Sequence, residues 1–238
     1  MLEWQDEGII LSVRAHGETG GLVSLLTRGH GRAAGYVYGA TSSRMRGVLE
    51  PGNLVSARWQ AKSPEQLGNF TLELEKSAAA DVMDDPLRLT ALQSACVLAD
   101  KTLPERESHP GVFEGTKALM ASFATDIWAA TYIYWEIGLL RELGFGLDLS
   151  KCAATGAVDN LIYVSPKSGC AVSAAAGEIY KERLLSLPAF LRGEGDFGDA
   201  DILDGLKLTG HFLRHRVFAL SNSDLPESRL RLEEKFRA

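Results

Sequence analysis

The sequence predicts an α+β protein: a small all-strand domain over about the first 80 residues, then a mainly helical domain. Three observations carry this. Short runs rich in β-branched residues, separated by turn residues, fill residues 8–74. Past Ser77 the apolar spacing changes from about two to between three and four. The chain of 238 residues is 45% hydrophobic and 24% charged, enough to bury a core without disulfide or metal staples.

The elements follow in order. Gly8 to Arg14 is the first strand, and the glycine-rich turn Gly17 to Gly21 leads into a second at Leu22 to Thr27. Arg28 to Arg32 is a turn, and Ala33 to Tyr38 is the returning strand. Leu54 to Trp59 and Asn69 to Leu74 alternate at period two. Five strands in about 80 residues fit an OB-type barrel among the small barrels. Asp84-Asp85-Pro86 then opens a helix carrying Leu87, Leu89, Leu92, Cys96 and Leu98. Helices are expected over Phe113 to Phe123, Ile127 to Leu143, Ile179 to Leu187, Ala200 to Leu208 and Phe212 to Leu220. Trp128, Tyr132, Trp135, Leu139 and Leu143 share one helix face, which reads as core packing. No internal repeat or low-complexity tract is present.

The net charge of −6 conceals a pattern. Residues 10–62 hold seven basic groups (Arg14, Arg28, Arg32, Arg44, Arg46, Arg58 and Lys62) against Glu18 and Glu50. Residues 81–204 sum to −9 and residues 205–238 to +3. Such asymmetry points to a local polyanion site better than net charge does. The first seven residues are acidic and lack the basic and apolar regions of a signal peptide. The most apolar run, Ile127 to Phe145, carries Glu136, Arg141 and Glu142 and is too short to span a bilayer. Three cysteines cannot make a disulfide framework, so a reducing, cytoplasmic setting is expected.

Motifs for catalysis are missing. Gly29-His30-Gly31 precedes a strand rather than a helix, so it reads as a hairpin turn and not a dinucleotide loop. His211 and His215 have helical spacing, but Phe212 stands where a zincin needs Glu. Only one cysteine (Cys152, Cys170) stands at each end of the hairpin around Leu161 to Pro166, which argues against structural zinc. No nucleophile elbow is present, and the chain is expected not to be an enzyme. The basic loop Gly39 to Gly47 is the more informative segment. Barrel loops of this kind carry single-stranded nucleic acid through a cationic groove with stacking aromatics, here Tyr36, Tyr38, Trp59 and Phe70. Half of these should point into the core, since strand residues alternate.

Over essentially its whole length the chain resembles the RecO family of bacterial recombination mediators. The carriers are Gly8-Ile9-Ile10-Leu11, His16-Gly17-Glu18, Leu25 to Arg32, the basic loop to Arg46, Leu49-Glu50-Pro51-Gly52, Trp135 to Phe145, Leu149 to Ala153 and Tyr163 to Gly169. The resemblance implies an N-terminal OB-fold DNA-binding domain (1–80) and a helical domain (81–238). It implies binding of single- and double-stranded DNA, annealing of complementary strands, and work in DNA repair and recombination. It also implies partnership with RecR, engagement of the acidic tail of single-strand-binding protein, loading of RecA, and a link to RecF. The implied location is cytoplasmic and nucleoid-associated, with no membrane and no cofactor. Many members carry a four-cysteine zinc knuckle, matched here at about 150–176. Cys152 occupies the first position, while Thr155, Ser173 and Ala176 replace the others, which implies no metal. Under this reading Arg14, Arg28, Arg32, Arg44, Arg46, Arg58 and Lys62 contact DNA. Arg214, Arg216, Arg229 and Arg231 extend the track or meet a partner. The alternatives are an RNA-binding OB-fold protein and a scaffold with no nucleic-acid site.

Overall fold

The first strand of the computed structural model, β1 (Leu2–His16), is long enough to serve two neighbours. Its first half pairs with β4 (Leu54–Ala61), and from Gly8 it pairs with β2 (Gly20–Thr27). A register shift between Ile10 and Ser12 bends the strand, as a bulge does. With β3 (Gly31–Val37) and β5 (Asn69–Lys76) the strands close in the order β1-β2-β3-β5-β4. Closure is made by one parallel pairing, Tyr36 with Asn69, and Tyr36 donates its N–H to the Gly68 carbonyl at 3.0 Å. The structure describes residues 2–63 and 65–237.

Ile10, Val23, Leu25, Val55, Trp59, Phe70 and Leu72 fill the barrel interior. A helix that the sequence reading leaves as loop, α1 (Ser43–Val48), packs Met45 and Val48 against this core. Then come α2 (Ala78–Val82), α3 (Pro86–Thr102) and α4 (Pro110–Ser122). The Asp85 carboxylate caps α3 by accepting the N–H groups of Leu87 and Arg88 at 2.9 and 3.0 Å, as its sequence position predicts. α3 covers β1 and β2, and the Ser12 and Ser24 hydroxyls donate to its Asp100. The strands end at Lys76, whereas the first compact unit runs on to Phe123.

The second unit begins at Ala124. It contains α5 (Trp128–Glu142), β6 (Leu161–Val164), β7 (Ala171–Ser173), α6 (Ala174–Gly177), β8 (Leu185–Ser186), α7 (Asp199–Phe212) and α8 (Glu227–Lys235). β6 is the middle strand of a three-stranded sheet. Trp128, Tyr132, Trp135 and Leu139 are buried along α5. The helix expected over Ile179 to Leu187 is corrected to a 3₁₀ turn at Glu178–Arg183 followed by β8. Leu185 and Ser186 pair with β6, and that pairing overrides their helical spacing. Past α7 the chain passes through a π-turn at Leu213–Val217 and a 3₁₀ turn at Phe218–Ser221 rather than a new α-helix. No helix among the described residues is long and apolar enough to cross a membrane.

Candidate nucleic-acid interface

One cross-strand row organises the outer face of the barrel. Arg14 pairs with Leu22, Leu22 with Tyr36, Tyr36 with Asn69, and Asn69 with Gln60. Paired residues share a face, so Arg14 and Tyr36 belong to one surface. The Tyr36 ring lies over Gly20, where a β-carbon would come within 1.8 Å of its Oη. Tyr38 meets Tyr36 edge-on at 4.7 Å and His16 does so at 6.0 Å. Tyr38 is 71% exposed, while Trp59 and Phe70 point into the core. Of the four aromatics read from the sequence, the barrel therefore presents two. Beside Tyr36 is a cleft of about 450 Å³, lined also by Gln60, Lys62, Gln66 and Asn69.

The basic loop is built from its ends. The Thr41 N–H donates to the Thr19 carbonyl at 3.3 Å, which ties the loop to the β1–β2 turn. Ser42 caps α1 by accepting the Met45 N–H. Asn53 is fully buried and holds the other end: its Nδ2 donates to the Gly47 and Val48 carbonyls at 2.8 and 3.2 Å. Its Oδ1 accepts from Ser77 Oγ at 3.1 Å. Gly52 precedes it at φ +93°, packed on Leu92, a conformation that favours glycine. The Nδ2 partners of Asn53 are five and six residues away, whereas its Oδ1 partner, Ser77, comes from beyond two strands.

Ion pairing divides the seven predicted cations. Arg28 pairs with Glu7 at 3.1 Å and Glu114 at 2.8 Å. Arg32 donates to the Leu103 carbonyl at 2.8 Å and pairs with Glu105 at 3.3 Å. Arg58 meets Glu3 at 2.5 Å. Glu3 is held below the usual carboxylate range by hydrogen bonds from Gln60 and Arg58. Arg14, Arg44, Arg46 and Lys62 are exposed and have no carboxylate partner among the described residues. The Arg46 side chain donates to the Thr41 carbonyl, at 3.0 Å. These four are the cations of the stretch left to an external anion.

Two family models match the chain, described as Recombination protein O N terminal over residues 1–77 and Recombination protein O C terminal over residues 83–223. The chain belongs to the RecO family. It is 56% identical over 238 residues to the DNA repair protein RecO of Rhodospirillum centenum, covering 99% of this chain and 95% of that one. It is 49% identical over 236 residues to the protein of that name from Caulobacter vibrioides, covering 98% and 94%. The Rhodospirillum rubrum protein is 46% identical over 245 residues, covering 100% and 97%. RecO membership assigns the chain to DNA repair and recombination.

The zinc knuckle known from RecO proteins does not fit the residues here. Cys152 is the one thiol of the four positions, Ala176 has no donor atom, and no cluster of three or more metal-ligating residues exists among the described residues. Hydrogen bonds stand in its place. Cys152 Sγ accepts the Ser173 N–H at 3.3 Å, and the Cys152 N–H donates to the Ala157 carbonyl at 2.7 Å. Hydrogen bonds from Thr155 and Ser173 hold the Cys152 thiol down to about 6. Cys170 sits apart, its Sγ facing the Ser168 carbonyl. The triple substitution Thr155→Cys, Ser173→Cys and Ala176→Cys is expected to gain one zinc ion per chain, and the unaltered chain to hold none. A metal assay after dialysis checks both.

The C-terminal cations separate as sharply. Arg214, Arg216 and Arg231 are exposed, although Arg231 is paired with Glu227 and Arg216 donates to the Lys167 carbonyl. Arg229 corrects the sequence reading: it has no exposed surface and cannot reach DNA or a partner. Its guanidinium is consumed by Glu136, with Nε at 2.5 Å from Oε1 and Nη2 at 3.1 Å from Oε2. Burial alone would lower its pKa, but Glu136, Tyr132 and Glu233 outweigh that and raise it.

Proposed function

We propose that the chain is a non-enzymatic, DNA-binding recombination mediator whose N-terminal barrel, an OB fold, binds single- and double-stranded DNA and anneals complementary strands. The observation that carries this is the set of exposed Arg14, Arg44, Arg46 and Lys62, without carboxylate partners among the described residues, on a barrel that also presents half-buried Tyr36 and exposed Tyr38. Four phosphate contacts give sequence-independent, salt-sensitive binding. Tyrosine faces add about 1–3 kcal/mol per stacked base without a base code. Annealing then needs no bond chemistry: the cations screen two phosphate backbones and hold them close.

In this reading the chain works with RecR to load RecA on single-stranded DNA coated by single-strand-binding protein, with RecF linked indirectly. It acts in the cytoplasm, at the nucleoid. An acidic tail needs an apolar seat with a cationic rim. The second unit has a cleft of about 160 Å³ with Phe145, Leu147 and Phe212 in its walls and Arg216 at its edge. His211 and His215 stack at 4.2 Å close by in sequence, and burial lowers the His211 pKa. The experiment is fluorescence-quench annealing of complementary 40-mers. The chain should accelerate it at least tenfold at low salt and lose the effect as salt rises. An annealing rate equal to that of the free strands contradicts the proposal.

A further inference from the structure

The barrel carries a second aromatic feature that the Tyr36 surface does not include. Trp4 and Trp59, paired across β1 and β4, stack with ring centres 5.7 Å apart and planes 14° apart. His30 stacks on Trp4 at 4.3 Å and 9°. The result is three near-parallel rings, and the outermost, His30, has its side chain 43% exposed. The imidazole is fixed in place, with Nδ1 2.9 Å from Asp6 Oδ2, and the same oxygen accepts the Gly29 N–H at 2.8 Å. Beside the rings lies a cleft of about 400 Å³, bounded also by Leu2, Glu3, Ala33, Ala34 and Arg106, with the Glu3 carboxylate neutralised by its pair with Arg58. It shares no lining residue with the Tyr36 cleft.

Arg106 shows a separate sign of purpose. It is one of three non-glycine residues held at positive φ among the described residues, here 62°. The strain is fixed by its N–H, which donates to the Arg32 carbonyl at 2.8 Å beside a bridge from Arg32 to Glu105. In that conformation its guanidinium lies over Trp59, 6.0 Å from the ring centre, at the cleft wall, and its Nη2 donates to the Gln66 carbonyl at 3.2 Å. Strained residues persist where the surroundings enforce them and concentrate at binding sites. A flat aromatic ligand attached to an anionic chain matches rings and guanidinium together.

We propose that the Trp59–Trp4–His30 stack is a platform for one base of single-stranded DNA, added as the next plane on His30, with Arg106 facing the adjoining backbone. This rests on the DNA-binding reading above and adds a site to it. A preorganised ring stack pays little ordering entropy when the base arrives.

The test uses the full chain labelled with 5-fluorotryptophan, its four fluorine resonances assigned by Trp→Phe substitution. The probes are a 12-mer of dT and a 12-mer of abasic sites with the same backbone charge. The dT oligomer should shift the Trp4 and Trp59 signals, and the abasic one should not. His30→Ala should weaken dT binding roughly 5- to 160-fold, the range one stacked base supports, while the abasic affinity is unchanged. His30→Phe, which keeps a ring plane, should restore most of the dT affinity. If dT binds with its salt dependence intact while Trp4 and Trp59 stay unshifted, or if His30→Ala binds dT like the parent, the platform is wrong and the DNA-binding reading stands. If neither oligomer binds at low salt, both fall.

Discussion

Reversing Arg14, Arg44, Arg46 and Lys62 to Glu together is expected to abolish binding of single-stranded DNA while leaving the barrel folded. All four side chains are exposed and have no carboxylate partner among the described residues, so their replacement breaks no internal ion pair. Surface substitutions of this kind usually change stability by no more than about 0.5 kcal/mol. The effect on a polyanion is much larger. Each phosphate contact on a single strand contributes about 0.7 to the slope of log K against log salt. Four contacts therefore account for a slope of about −3, or roughly a 60-fold loss between 50 and 200 mM salt. Reversal removes four attractions and adds four repulsions, so affinity should fall at least 100-fold at low salt. Arg28→Glu with Arg58→Glu provides the comparison. These two are already paired with Glu7, Glu114 and Glu3, so DNA affinity should change less than in the four-site variant. Anisotropy on the two variants, with circular dichroism as the folding control, reads both.

Arg229→Met is expected to be the most destabilising single change in the second unit. Glu136 and Arg229 are both 0% exposed, and each is fully engaged. Glu136 accepts from Tyr132 Oη at 3.0 Å and from the Thr209 hydroxyl, and Arg229 Nη2 donates to the Leu206 carbonyl at 2.6 Å. The cluster ties α5, α7 and α8 together across 93 residues of sequence. Removing the guanidinium leaves a carboxylate buried without its counter-charge, which costs about 3–5 kcal/mol. For a unit of this size that lowers Tm by roughly 10–20 °C. Glu136→Leu combined with Arg229→Met removes both charges and should recover much of the loss, because an apolar pair can replace a buried ion pair at little cost. Thermal melts of the two variants give the coupling directly. A double variant no more stable than Arg229→Met would show that packing, not the charge, holds the helices.

The strands were legible because their signals are local. Alternation and turn residues mark β2, β3, β4 and β5 within two or three residues, and Asp85-Pro86 marks the start of α3 through its own cap. What stayed hidden depends on contacts between distant segments. The polar stretch Glu227 to Lys235 shows no apolar stripe to mark it as a packed helix, because one of its buried residues is Arg229. Only the carboxylate of Glu136, far upstream, explains that burial. α1 is short and carries Gly47 within it, and it exists because Asn53 and the barrel core hold its far end. The basic loop was visible as a charge pattern, but its division from Arg28, Arg32 and Arg58 was not. Their acidic partners come from β1, α4 and the segment after α3. His30 read correctly as a turn residue, yet its stack with Trp4 and Trp59 requires the closed barrel.

The central claim is that four cations without carboxylate partners among the described residues form a phosphate-binding surface on the barrel. Its most direct test is the salt dependence of anisotropy for a labelled single-stranded oligonucleotide on the full chain, between 25 and 300 mM salt. The predicted result is a linear log–log plot with a slope of about −3, independent of base sequence. A slope near zero, or no binding at 25 mM, would contradict it.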